Sequence, residues 1–336
     1  MKALFIGGTG TISSAISASL VNQGWELYLL NRGNNNDRLP EGARILKADI
    51  NDEAYVASLI KDLDFDVVAD FIAFVPSQVE RDIRLFSGKT RQYIFISSAS
   101  AYQKPLSDYR VNEATPLANP YWEYSRNKIA CEELLMAEYR KNGFPVTIIR
   151  PSHTYDERRI PLGVHGNTGS WQVVKRMLAN KPVIIHGDGT SLWTLTHNSD
   201  FAKGFIGLMG NIHAIGEAVN ITSDESLTWN QIYQIIASAL GVELNAVHIA
   251  SDYLAAFSDY DFIGSLIGDK ANSVVFDNSK LKRLVPDFIA TVRFDQGIRL
   301  VLDYVMSHHE FQEEDSEFDA WCDTVIENYT AGMKKI

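Results

Sequence analysis

A chain of 336 residues that is 46% hydrophobic is long enough to bury a large core, as one big domain or two smaller lobes. A formal charge of -11 with a pI near 5.2 repels phosphate backbones on average, which sets general nucleic-acid and anionic-membrane binding aside. Two cysteines, Cys131 and Cys322, are too few for a disulfide framework and, without a His-rich partner motif, for a structural zinc site. A reducing cytoplasm and no metal are therefore expected. The apolar-small start up to Leu20 is interrupted by glycines and hydroxyl residues, and no apolar run reaches membrane-spanning length, so a soluble intracellular protein is expected.

In chain order, Lys2 to Ile6 is a short apolar run that flows into Gly7-Gly8-Thr9-Gly10-Thr11-Ile12-Ser13, and Ala15 to Asn22 has helical character ending at Gly24. Strand, glycine turn and helix come in the order a dinucleotide site needs. Gly8-x-Gly10 permits the bend and the approach of backbone N–H groups to a pyrophosphate at the positive end of the helix dipole. Ser13 replaces the third glycine of the fingerprint and still allows close helix-strand packing; an ordinary strand-to-helix turn is the alternative.

Trp25 to Leu30 reads as the second strand, and at its end an acidic residue normally holds the adenosine ribose in NAD sites. Asn31-Arg32 stands there instead. Without the carboxylate a 2'-phosphate is not repelled and an arginine can pair with it, which tilts the expectation from NAD toward NADP. A solvated loop charge is the alternative for Arg32. Ala43 to Lys47 and its exit at Asp49 form a third strand, Asp52 caps a helix, and Asp66 to Phe71 is a fourth strand, with Asp70 a capped or solvent-facing carboxylate. Pro76 to Phe86 is helical and Gln92 to Ser97 is the fifth strand.

The stretch from Phe95 to Gly143 carries the chemistry. It passes from apolar to hydroxylic (Ser97-Ser98-Ala99-Ser100-Ala101-Tyr102) and then into a helix from about Pro120, with Asn119 as N-cap and Gly143 as stop. That helix carries Tyr124 and Lys128, one turn apart on one face. A phenol with a free pKa near 10 becomes a base at neutral pH only beside a positive charge, which Lys128 can supply. Taken alone, such a pair is expected by chance in a chain with 14 Tyr; its weight comes from context.

Pro145 to Arg150 is a sixth strand, after which the rhythm changes. Ser152 to Ser170 reads as a long polar loop, followed by a helix to Asn180, a strand near Val183-Ile185 and a turn at Gly187-Asp188-Gly189. Asn198 to Gly210 is a helix, Glu217 to Ile221 a strand and Thr228 to Gly241 a helix. The last hundred residues are mostly helical, with short strands at Asn245 to Ile249 and Ser273 to Phe276, and the acidic run Glu310 to Asp319 is a solvated helix face or its approach. Alternating strands and helices predict an α/β fold, a Rossmann-type doubly wound parallel sheet with a smaller, mostly helical C-terminal lobe. Residues 1–150 form the dinucleotide-binding domain with returning segments near 192–222, and 151–336 mainly the substrate-binding lobe.

With the glycine turn, the Ser-rich strand end, Tyr124-x-x-x-Lys128, Ile149-Arg150-Pro151, Gly187-Asp188-Gly189, His197 with Asp200 and Asn220-Ile221, the sequence resembles the extended short-chain dehydrogenase/reductase family, in its NAD-dependent epimerase/dehydratase branch. The resemblance implies that Tyr124 takes the proton of a substrate hydroxyl while hydride passes from the same carbon to nicotinamide. It gives Lys128 the nicotinamide ribose and the task of lowering the tyrosine pKa, and Ser98 the reacting oxygen, with Ser100 as second candidate. Cofactor contacts fall on Gly7, Gly8, Thr9, Gly10, Thr11, Ile12, Asn31, Arg32, Asp49, Ile50, Lys128 and Pro151.

Two departures narrow the expectation. Family dehydratases place an Asp-Glu pair directly after the catalytic hydroxyl; here Ala99 and Ser100 stand there, which argues against sugar 4,6-dehydration. Nucleotide-sugar enzymes usually carry an arginine for the diphosphate after Gly-Asp-Gly, where this chain has Trp193. Loss of such a clamp costs on the order of 2–5 kcal/mol at a desolvated site. Trp193 and Arg158 are carried as substrate candidates, and Arg159, Lys175 and Arg176 as other phosphate ligands or solvated charges. The expected function is an NAD(P)-dependent epimerase or oxidoreductase on a sugar-like carbinol. The alternatives are an NADPH-dependent carbonyl reductase and, from another class, an RNA-binding protein like the chloroplast stem-loop binding relatives of this fold. A homodimer through the helices near Pro76 to Phe86 and Tyr121 to Asn142 is implied by the same resemblance.

Overall fold

A computed structural model describes residues 1–33 and 36–333. The apolar runs form seven strands of one parallel sheet: Lys2–Ile6 (β1), Glu26–Asn31 (β2), Arg44–Lys47 (β3), Val67–Asp70 (β4), Tyr93–Ile96 (β5), Val146–Pro151 (β6) and Ala218–Ile221 (β7). They lie in the order β3-β2-β1-β4-β5-β6-β7. Every adjacent pair is parallel, so each connection must cross over. Helices Ser13–Asn22 (α1), Pro76–Phe86 (α2) and Glu123–Asn142 (α3) make three of those crossovers, and β7 is the late return of the chain to the sheet edge beside β6.

Helices on both faces explain why the central strands are apolar throughout rather than alternating. One face packs Phe5, Ile94 and Ile149 against α1 and a later helix carrying Phe201 and Phe205. The other packs Leu4, Phe95 and Ile148 against α2 and α3 through Val79, Cys131 and Leu135. Each such fully buried side chain contributes roughly 1.5–3 kcal/mol. A third cluster, around Trp229, Tyr233, Ile298 and Val301, is the core of the helical C-terminal part.

Several local expectations shift. The helix that carries Tyr124 begins at Glu123 with Trp122 at the N-cap, not at Pro120, and Asn119 instead ties neighbouring segments together. It donates to the carbonyls of Ser100 (2.8 Å) and Gly268 (2.7 Å) while its oxygen accepts from the Tyr121 amide. Asp70 is buried rather than solvent-facing and caps the amides of Ile72 and Ala73. The Ser152–Ser170 stretch is no simple polar loop. It contributes a strand, His153–Tyr155, paired with Leu195–His197, and buries Ile160, Leu162 and Val164 in the C-terminal core.

Candidate active site

Two hollows lie at the C-terminal ends of the strands, where an open α/β sheet offers its binding crevice, and the segment after β4 touches both, lining one with Ile72 and packing Phe74 on Tyr124 of the other. The first, of about 320 Å³, is lined by Gly7, Thr9, Gly10, Leu30, Asn31 and Arg32 and, across from them, Ala48, Asp49, Ile50, Asn51, Gln78 and Arg81. Its floor is the glycine turn. Gly7 has φ +82°, and a Cβ on Gly8 would lie 2.4 Å from Leu29, so both positions require glycine. Ser13 fills the third-glycine position and closes the turn: its hydroxyl accepts from the Gly10 amide (2.9 Å) and donates to the Gly7 carbonyl (2.7 Å). Ser17 adds a bond to the Gly8 carbonyl at 2.8 Å.

The residues present fit a dinucleotide. Helix α1 opens at this hollow with Ile12 at its N-cap, no side-chain cap and no acidic residue in the first turn. The Ser14 amide is taken by the Gly10 carbonyl at 3.0 Å, and the helix dipole favours an anion at this uncapped end. Asn31 and Arg32 lie at the rim, Arg32 exposed. Thr11 sits at the helix entrance, its carbonyl accepting from Asn198.

The second hollow, of about 250 Å³, gathers the expected catalytic residues Ser98 and Tyr124 with Ser100, Pro151 and Trp193. Ser98 and Ser100 hydroxyls are 2.9 Å apart, and Ser125 donates to Ser100 at 2.7 Å, so the serine loop is fixed from the helix behind it. Lys128 is buried beneath Tyr124, donating to the carbonyls of Ala73 and Ile96, both at 2.7 Å, with its ammonium 4.6 Å and 4.8 Å from the centres of Phe74 and Phe95. The segment before it is braced by a buried ion pair. Glu132 accepts from Arg150 at 2.5 and 2.9 Å and from Ser97 at 2.5 Å.

The electrostatics differ from the sequence expectation. Burial raises the Tyr124 phenol above its ordinary value, with Ser98 acting in the opposite direction and Asp269 adding to the rise. Lys128 does not lower it, because its ammonium faces two carbonyls and lies 5.7 Å from the Tyr124 ring centre. Burial draws Lys128 itself down to about 8, against the pull of Cys131, Asp70 and Glu132.

Of the substrate candidates, Trp193 is buried in the cavity wall and its indole donates to His153 at 3.2 Å. Arg158 lies elsewhere: it pairs with Asp37 at 2.7 Å and stacks over Phe311, and lines neither hollow. Arg176 is likewise spent, on Asp319 and Asp323. Sequence reasoning missed Lys104, Asp269 and Lys270, all in the second cavity. Lys104 follows Ser98 in the same loop, a local signal; the other two arrive from a π-helical segment, Ile263–Lys270, with no local signal. Among the described residues no His, Cys, Asp or Glu cluster has metal-ligand character and no helix is long and apolar enough to cross a membrane.

Comparison with known proteins agrees with this architecture. The chain is 25% identical over 289 residues to a 2'-dehydrokanamycin reductase of Streptomyces kanamyceticus, covering 86% of this chain and 80% of that protein. It is 28% identical to the chloroplast stem-loop binding protein of 41 kDa b of Arabidopsis thaliana over 71% of this chain and 63% of that one. A UDP-glucuronic acid 4-epimerase from Bacillus cereus, solved with UDP-glucuronic acid and NAD, superposes with a TM-score of 0.72 over 91% of this chain and 99% of that one at 20% identity, a likeness of fold. The model of the NAD dependent epimerase/dehydratase family matches residues 3–222, and the chain belongs to that family.

Proposed function

We propose that the protein is an NAD(P)-dependent enzyme that moves hydride at a carbinol carbon of a sugar-like substrate, as an epimerase or oxidoreductase. The observation that carries this reading is the meeting of Ser98 and Tyr124 in one cavity wall, above Lys128 and beside the glycine-turn hollow. The dinucleotide, held by the Gly7–Ile12 turn, Asn31, Arg32, Asp49, Ile50 and Pro151, supplies the hydride acceptor. Tyr124 exchanges the proton of the reacting hydroxyl, Ser98 hydrogen-bonds the same oxygen, and Lys128 holds the ribose. A phenol raised by burial is a reluctant base by itself; cationic charge from the bound cofactor would bring it into range.

Exposed Arg32 favours NADP, while the UDP-glucuronic acid 4-epimerase named above holds NAD. Ala99 and Ser100 stand where a dehydratase needs its carboxylates, so 4,6-dehydration is not proposed. The similarity to a ketone-named reductase supports a second reading, net reduction of a carbonyl at the same site. Stoichiometry separates the two: a reductase consumes reduced dinucleotide, an epimerase leaves none changed. The test of the common reading is Tyr124→Phe, expected to lower turnover about 10²- to 10⁴-fold while dinucleotide binding by calorimetry stays near wild type. Full activity in that variant overturns it.

A further inference from the structure

The substrate cavity contains charge that the hydride-transfer scheme does not use. Lys104 is 4% exposed and lines the cavity with Ser98 and Tyr124. Its backbone amide is tied to the Ala118 carbonyl at 2.7 Å, yet among the described residues its ammonium makes no hydrogen bond and no ion pair. Asp269 faces the same space and its carboxylate is also without hydrogen bond or ion pair among the described residues. Lys270, the third charged group there, reaches only the Ser265 carbonyl at 3.3 Å.

An ammonium packed into a cavity wall without a protein partner turns its unmet hydrogen-bonding capacity to the cavity, where an incoming anion can meet it. Asp269 does not fill that role: it is felt at Lys104 as a distant attraction while burial still holds the ammonium below its ordinary value. The wall is also not free to collapse around the charge. Asn119 bonds both the Ser100 and the Gly268 carbonyls, fixing the loop before Lys104 against the segment that carries Asp269 and Lys270. Two lysines and one aspartate line this wall, with Asp261 attracting Lys270 as well.

We propose that Lys104 is a specificity residue that receives an anionic substituent, a carboxylate or a phosphoryl group, borne by the sugar ring whose carbinol Tyr124 and Ser98 address. This rests on the reading of the Tyr124 site given above and adds the charge class of the substrate. The volume supports placing the anion on the ring itself. At about 250 Å³ the cavity falls below the roughly 300–1,000 Å³ of sites for larger ligands, so it takes a single sugar ring. An anion on that ring, and not on a distant nucleotide, is what shares the space with Lys104.

The experiment measures affinities for matched pairs by calorimetry on NAD-loaded protein: glucuronic acid against glucose, glucose 6-phosphate against glucose, and UDP-glucuronic acid against UDP-glucose. The first and third pairs report a carboxylate, the second a phosphoryl group. In wild type at least one acidic member is expected to bind about 10- to 100-fold tighter than its neutral counterpart, the worth of a charge-assisted hydrogen bond. That ratio is expected to fall to near unity in Lys104→Met and to be largely kept in Lys104→Arg. The ligand-free Lys104→Met protein is expected to melt higher than wild type, since an uncompensated buried charge is gone.

No acidic preference in wild type, a preference that survives Lys104→Met, or a lower melting temperature in that variant each overturns the proposal. The wild-type ratio needs no variant to fold. Tyr124→Phe separates the two readings, because it removes turnover if the hydride-transfer reading holds but leaves the acidic preference in binding.

Discussion

The ammonium of Lys128 donates to the carbonyl of Ala73 at 2.7 Å, and the Ala73 amide is in turn held at 2.8 Å by the carboxylate of Asp70. A charge on the helix that carries Tyr124 is thus anchored through the loop that follows β4, held by a carboxylate that the sequence alone left as capped or solvent-facing. Residues 58 apart in sequence act as one support for the candidate active site.

Lys128 should leave a mark on stability. Burial brings its pKa to about 8, whereas in the unfolded chain the group keeps its proton to about 10.4. Between those values the unfolded state binds more protons, so stability rises with pH across the window. Urea unfolding near pH 7.5 and near pH 9.5 is expected to show a gain on the order of 1–3 kcal/mol for wild type, missing in Lys128→Met. Parallel behaviour of the two proteins contradicts it.

Arg81 is buried between Asp70 at 3.3 Å and Asp82 at 2.8 Å, and Tyr93 donates to Asp82 at 2.6 Å. Burial first, then the Asp70 charge, push the Asp82 carboxyl well above its usual range. Arg81→Leu leaves two carboxylates facing each other without a cation and is expected to cost about 3–5 kcal/mol. Adding Asp82→Asn should return part of it, which denaturant unfolding of the single and double variants reads directly.

Ser13→Ala removes both side-chain bonds that close the glycine turn. A loss of about 1–2 kcal/mol is expected, together with weaker dinucleotide binding because the Gly7–Gly10 backbone is no longer pre-set. Calorimetry with NAD and NADP checks the second part. Unchanged affinity would show that the turn holds its shape without the serine.

Arg158→Ala is expected to leave KM within about twofold of wild type, since the guanidinium is held by Asp37 and lines neither hollow. A tenfold rise in KM for any substrate would return Arg158 to the site.

What could be read from the sequence was what short spacing encodes. Pro76–Phe86 forms as the pattern predicts, Thr228 caps its helix with Gln231 completing a capping box, and Ser98 and Tyr124 share a cavity. Readings failed where a side chain had a distant commitment. Asn119 does accept from the Tyr121 amide as a cap would, but the helix starts only at Glu123, and its bond to Gly268, 149 positions away, left no trace in the local sequence. Ile160, Leu162 and Val164 looked like loop residues because they join a core assembled from many segments, including the distant helix of Trp229 and Tyr233. Asp269 and Lys270 had no periodic or motif context, since the π-helical segment that aims them has no pattern of its own.

The double grip of Asn119 bears on protein engineering. Its amide rivets the serine loop of the candidate active site to the 263–270 segment, so exchanging that segment with one from a homologue to retune substrate choice would tug at Ser100 as well. Chimeras whose backbone carbonyl at the position of Gly268 stays within reach of Asn119 should keep their turnover; those whose segment carries it out of reach should lose rate even on the original substrate.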